Sequence, residues 1–186
     1  MGSLSGKIIL MVMPRNQFAE DELFVPRELF ELAGAKVIVL SRTGQEALGM
    51  NKTRFQPNGT IIDWNKQEGV FGKYDAVVLV GGKGAAKSLW DDPILPQILT
   101  DHYRAGKVVA AIGLSVVVLA RASFLMQIAA SGPNEEKFLN ELEAGSGYYS
   151  EEPVTCCDRI ITASGSEAAK EFAEAVSAAV RDETVG

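Results

Sequence analysis

The chain has 186 residues, 47% of them apolar and 23% charged, and a net charge of −6. That size and balance suit one soluble globular domain with a sizeable core. Lysines and arginines are scattered without a basic run, which argues against nucleic acid or an anionic membrane surface as partner, and no stretch reaches the roughly 18 uninterrupted apolar residues of a membrane span.

Residues 1–6 (MGSLSG) read as a disordered start or an expression remnant; Gly6 stands where a myristoylation signal needs Ser or Thr. Residues 7–13 (KIILMVM) fit a buried strand and are too short for a signal peptide. Residues 21–33 carry Leu23, Phe24, Leu29, Phe30 and Leu32 near helical spacing, with acids in the first turn. Pro26 is tolerated only near a helix start, so the helix proper is expected from about Val25, with Gly34 as its stop. Residues 36–41 (KVIVLS) form a second strand, and strand, helix and strand together make a right-handed βαβ unit.

Residues 42–73 are the least regular. Asn58-Gly59 is a turn signal between residues 53–55 and 60–62 and predicts a small hairpin. Residues 74–80 (YDAVVLV) give the next buried strand, followed at once by Gly81-Gly82-Lys83-Gly84. That run lacks the spacing and the Ser/Thr of a P-loop and reads as a tight turn offering backbone N–H donors. Asp92-Pro93 opens a helix to about Ala105, ended by Gly106. Residues 107–112 are a strand and 115–122 a helix. A further short strand is expected at 125–130, an amphipathic helix at 133–142 with Asn134 near its start, two short strands at 153–157 and 160–163 joined through Asp158-Arg159, and a long helix at 167–180. No internal repeat or linker interrupts this pattern. It describes one α/β domain over residues 7–182 with a mostly parallel sheet.

The strand at 107–112 runs into its helix with almost no connection, and Gly113 sits at the join. Such a junction stands at the carboxyl edge of a sheet, where open α/β folds build their sites and where enzymes often mount a nucleophile on strained backbone. A glycine supplies no attacking atom, but it adopts such backbone at little cost, which predicts φ > 0 for Gly113. Other candidates are few. His102, the single histidine, has Tyr103 and Arg104 beside it and reads as a surface residue rather than a base. Ser115 is the hydroxyl nearest the elbow and is better placed to cap N–H groups than to enter a pocket. Cys156 and Cys157 are adjacent, where a bridge is strained; with no other cysteine there is no disulfide framework, which fits a reducing cytoplasm. One is expected packed and the other more exposed, neither of them catalytic. Arg15 and Asn16, at the edge of the first strand, are either pocket or plain loop residues.

In order along the chain, residues 75–82 (DAVVLVGG), 107–112 (KVVAAI) with the elbow and Leu119-Ala120-Arg121-Ala122, and the tail from Glu152-Pro153-Val154 through residues 160–165 (IITASG) resemble the ThiJ/PfpI (DJ-one) superfamily. The resemblance covers nearly the whole chain. It implies a flavodoxin-like three-layer sandwich, related to class I glutamine amidotransferases, and a homodimer. The family's usual site has an elbow cysteine followed by His-Gly-Pro, a glutamate from the first helix bonded to that cysteine, and an oxyanion hole from a Gly-Gly loop and the residue after the cysteine. Glu22 matches the glutamate, and Gly81 and Gly82 match the loop. Gly113 stands in place of the cysteine, Leu114 in place of the histidine, and Ser115-Val116 in place of Gly-Pro. Ser123 also departs from the usual glycine after that helix.

The expected pocket therefore comprises Glu22, Gly81, Gly82, Gly113, Leu114 and Ser115, with no metal and no cofactor. Two readings of Glu22 stand side by side: a first-turn carboxylate exposed to water, or a partly buried carboxyl with a raised pKa that orients a ligand or acts as a base. The expected function is that of a non-catalytic binding or regulatory homodimer in the cytoplasm, with a small-molecule ligand near Gly113. The alternatives are an enzyme of lyase or hydratase type using Glu22 as general base, and a stress-related chaperone.

Overall fold

A computed structural model describes residues 2–182. In chain order the elements are β1 (Ile8–Val12), α1 (Glu20–Leu32), β2 (Lys36–Ser41), β3 (Ala47–Leu48), β4 (Arg54–Phe55), β5 (Gly59–Thr60), β6 (Ala76–Leu79), α2 (Ala85–Ser88), α3 (Leu95–Arg104), β7 (Val108–Ile112), α4 (Val116–Arg121), β8 (Ala129–Ser131), α5 (Glu136–Ala144), β9 (Tyr148–Ser150), β10 (Val154–Cys157), β11 (Ile160–Ala163) and α6 (Ala169–Asp182).

The central sheet has the order β10-β11-β7-β6-β1-β2-β5. Every pairing is parallel except β10 with β11. Alternate strand residues serve opposite faces. Ile9, Met11, Val78, Ala110 and Ile112 pack with Leu23 and Phe30 of α1 and Phe172 and Val176 of α6. Leu10, Val12, Val77, Leu79 and Ala111 pack with Ile98 and Leu99 of α3, Val117 of α4 and Phe138 of α5. Both faces are covered, which is why the strands read as unbroken apolar runs. The result is the expected α/β flavodoxin-like sandwich of three layers. Among the described residues no helix is long and apolar enough to cross a membrane.

Chain order reverses between β1 and β6: from β1 the chain builds outward through β2, then returns to build the other side through β6, β7 and β11. Such a switch leaves a crevice beyond the carboxyl ends of the strands. The loops after β1, β6, β7 and β11 meet there.

Several elements differ from expectation. Ahead of β1 the chain turns at Ser5-Gly6 (Met1 lies outside the described residues). Leu4 is fully buried, and its N–H donates to the Ala33 carbonyl at 2.7 Å. Helix α1 starts at Glu20 rather than near Val25, so Pro26 lies within it. Pro26 has no N–H for the Glu22 carbonyl, and the helix continues without that bond. No hairpin forms about Asn58-Gly59. Its turn type needs φ > 0 at both residues, and neither has it. Instead Asn58 bonds β2: its N–H donates to the Val39 carbonyl at 2.7 Å, and its Oδ1 accepts from the Val39 N–H at 2.8 Å. β5 thereby joins the main sheet parallel to β2, while β4 pairs with β3. Helix α3 begins at Leu95, two residues after Pro93, and Asp92 Oδ1 accepts from the N–H groups of Ile94 and Leu95. The strand expected at 125–130 is confined to Ala129–Ser131.

Ser123 stands just past α4 at φ 66°, the position where helices favour glycine. The left-handed region costs a non-glycine residue about 1–2 kcal/mol. Ser123→Gly is therefore expected to stabilise the protein by about 1 kcal/mol and to raise Tm by about 2–4 °C. Urea denaturation reads this, and an unchanged or lower midpoint refutes it.

Candidate functional site

The crevice holds a cavity of about 310 Å³ whose wall includes Glu22, Met50, Gly82, Lys83, Gly113, Leu114 and Ser166. The elbow at its floor is built from β7 and α4. The fully buried strand Val108–Ile112 delivers the chain to Gly113, which turns at φ 65°. The positive φ expected of this glycine is present. Leu114, half-buried, is pinned by its carbonyl, which accepts from Trp90 Nε1 at 2.8 Å.

Glu22 faces the cavity rather than open water and is only 5% exposed. Its Oε1 accepts from the Gly81 N–H at 3.1 Å, and its Oε2 accepts from the Ser166 hydroxyl at 3.0 Å. Burial raises its pKa to about 7; these hydrogen bonds pull the other way, and neighbouring Asp21 adds to the rise. A carboxyl shut away from water holds its proton because the charged form loses hydration.

The position of this carboxyl is unusual in one respect. A Cβ built on Gly113 would lie 2.6 Å from Glu22 Oε1 and 3.0 Å from Oε2. Glu22 thus fills the volume into which any elbow side chain would project. The loop after β6 is equally tight. At Gly82 (φ 116°) a Cβ would run into the backbone of Gln17, Phe18 and Ala19, and at Gly81 into the Ile112 carbonyl. Only glycine lets these backbone segments approach so closely.

The structure gathers Glu22, Gly82, Gly113 and Leu114 around one cavity. Gly81 lies behind the wall and acts through its N–H on Glu22. Ser115, grouped with the pocket from the sequence, turns away. It is fully buried, its Oγ donates to the Leu79 carbonyl at 2.7 Å and accepts from the Ile112 N–H at 3.3 Å, and it ties β6 to β7. Arg15 and Asn16 line a separate cleft beyond Met50.

His102 is not on the surface. It has no exposure at all; its Nδ1 lies 2.7 Å from the Ile98 carbonyl, and its Nε2 accepts from the Tyr74 N–H at 3.2 Å. Burial lowers its pKa, and it stays neutral as a core side chain beside Trp64 and Tyr74. Its neighbours in sequence gave the wrong environment: Arg104 is exposed and Tyr103 half-buried, while His102 stands on the core side of α3. Cys156 is exposed and Cys157 half-buried, both free and both on β10. Among the described residues no cluster of His, Cys, Asp or Glu is arranged to hold a metal ion.

Sequence reasoning missed Ser166 and Met50. Ser166 reaches Glu22 across 144 residues of chain, and no local signal announces such a contact. Met50 enters through a loop anchored by Glu20, whose Oε2 accepts from the N–H groups of Asn51 at 2.7 Å and Thr53 at 3.3 Å.

A family model described as the DJ-1/PfpI family matches residues 7–179. An uncharacterized protein of Methanocaldococcus jannaschii is 34% identical over 168 residues, covering 90% of this chain and 79% of that protein. A glutathione-independent glyoxalase of Caenorhabditis elegans is 23% identical over 168 residues, covering 90% of this chain and 85% of that one. Among solved structures, a ThiJ/PfpI domain protein from Brachyspira murdochii superposes with a TM-score of 0.85 at 30% identity, over 95% of this chain and 99% of its own. Drosophila melanogaster DJ-1beta does so with a TM-score of 0.78 at 22% identity, over 98% and 97% of the two chains.

Proposed function

Because the chain belongs to the DJ-1/PfpI family and yet carries glycine at its elbow, we propose that it binds a small molecule without covalent catalysis and acts as a binding or regulatory homodimer. One observation carries this reading: the Glu22 carboxyl occupies the space over Gly113 where an elbow side chain would extend. Covalent catalysis requires a nucleophile beside a base, and position 113 offers none. The cavity retains a buried carboxyl and the backbone of the glycine loop, which suit recognition of an uncharged polar group.

The glyoxalase named among the relatives supplies the test substrate. The purified protein is expected to convert methylglyoxal no faster than buffer; robust turnover overturns the proposal. The dimer rests on the family resemblance. It predicts a particle of twice the 20.0 kDa chain mass in sedimentation, and a monomer at micromolar concentration refutes it. Two free cysteines support a reducing, cytoplasmic setting.

A second reading is favoured by Glu22 itself. A carboxyl with a pKa of about 7 is divided between acid and base at neutral pH, the range suited to general acid–base work. It fits a lyase or hydratase that forms no covalent intermediate. Glu22→Gln abolishes such an activity, and an activity that survives it excludes Glu22 as the base.

A further inference from the structure

A second, larger cleft opens on the other side of Met50. It measures about 680 Å³, and Arg15, Arg42, Lys52 and Lys87 stand in its wall without any acidic side chain among them. The side chains of Arg42, Lys52 and Lys87 have no ion pair or hydrogen-bond partner among the described residues. Arg15 is held, but by neutral acceptors: its guanidinium donates to the Glu46 carbonyl at 3.2 Å and to Gln45 Oε1 at 2.8 Å. The group is fixed and its charge left uncompensated. Nearby carboxylates are engaged elsewhere. Glu46 lies against Arg54 at 3.8 Å, and Glu20 is buried beneath the loop that carries Met50 and Lys52.

In a chain of net charge −6, this is a local reversal of sign inside a concave surface, where field lines focus and draw anions. A monocarboxylate would satisfy a single guanidinium fork. Cations mounted on four separate segments suit a group with more charge and more oxygens. The side chain of Met50, 43% exposed, lines both this cleft and the Glu22 cavity, so one molecule can touch both.

We propose that this cleft holds the phosphate-type oxyanion of a small ligand whose uncharged end reaches past Met50 to Glu22. The second half of that statement rests on the ligand-binding reading of the Glu22 cavity; the first half does not.

The test is calorimetric titration of the full chain with inorganic phosphate at pH 7.5 and low ionic strength, with chloride at matched ionic strength as reference. Phosphate is expected to bind with a dissociation constant below about 10 mM, and the double variant Arg42→Ala, Lys87→Ala to bind at least about tenfold more weakly, the equivalent of about 1.4 kcal/mol. Lys170→Ala, at an exposed position of α6, and Glu22→Gln are expected to leave phosphate binding within about twofold, because neither touches the cleft. No phosphate binding, equal binding of chloride, or an equal loss in Lys170→Ala overturns the proposal. The Glu22 half is read separately with glycerol phosphate: tighter binding than inorganic phosphate that Glu22→Gln abolishes supports it, and no gain over phosphate removes it while leaving the cleft standing.

Discussion

Glu22→Gln is expected to leave stability unchanged near pH 4.5 and to raise it by about 3 kcal/mol at pH 8. The sign follows from proton linkage. The carboxyl has an ordinary value of 4.5 when exposed and about 7 in the folded protein. Below pH 4.5 it is protonated in both states and costs nothing. Between pH 4.5 and 7 the unfolded chain releases the proton while the folded protein retains it, so wild-type stability falls as pH rises. Above pH 7 both states are ionised and the loss is complete, at about 1.4 kcal/mol for each unit of difference. Glutamine keeps the shape and the acceptor for the Gly81 N–H but never ionises. Subtracting the two urea-denaturation curves at each pH cancels every other titrating group remote from the site. A difference that stays flat from pH 4 to 8 would show that Glu22 is not a buried, proton-holding carboxyl.

Gly113→Ala is expected to destabilise the protein by about 3 kcal/mol, with a fall in Tm of about 6–12 °C. Two costs add. Residue 113 sits at φ 65°, which charges a non-glycine residue about 1–2 kcal/mol. The new methyl group also stands 2.6 Å from Glu22 Oε1, so the carboxyl must leave the hydrogen bonds from Gly81 and Ser166, each worth about 1 kcal/mol net. The second cost depends on Glu22 and the first does not. In the double variant Glu22→Ala, Gly113→Ala the effects are therefore expected to fall short of additivity by about 2 kcal/mol. Strict additivity would mean that the two positions do not compete for one space. Gly113→Cys meets the same obstacle, and Leu114 still stands where the family carries histidine; it is expected to restore no methylglyoxal turnover.

Glu22 and position 113 compete for one space. With a side chain at 113, Glu22 would stand aside; with glycine there, the carboxyl closes over the elbow and becomes the chemically distinctive group of the cavity. Glycine also adopts φ 65° at little cost, so the elbow backbone is unstrained.

The order of elements, the parallel sheet and the position of the elbow were legible in the sequence, because they rest on local signals. Apolar runs such as KIILMVM and VVAAI mark strands buried on both faces, helical spacing marks α1 and α6, and Gly34 and Gly106 mark helix ends. The glycine at 113 and its positive φ follow from the junction alone. Local signals misled where a long-range partner overrode them. Asn58-Gly59 resembles a hairpin turn, but Asn58 bonds Val39 instead. His102 has polar sequence neighbours, yet its face of α3 meets the sheet. Tertiary structure alone decided that Glu22 overlies Gly113, that Ser166 reaches it, that Ser115 turns inward, and that four scattered cations share one cleft. Each of these depends on loops from distant strands converging at the carboxyl edge of the sheet, and distance through space between such loops leaves no periodic or compositional trace in the chain.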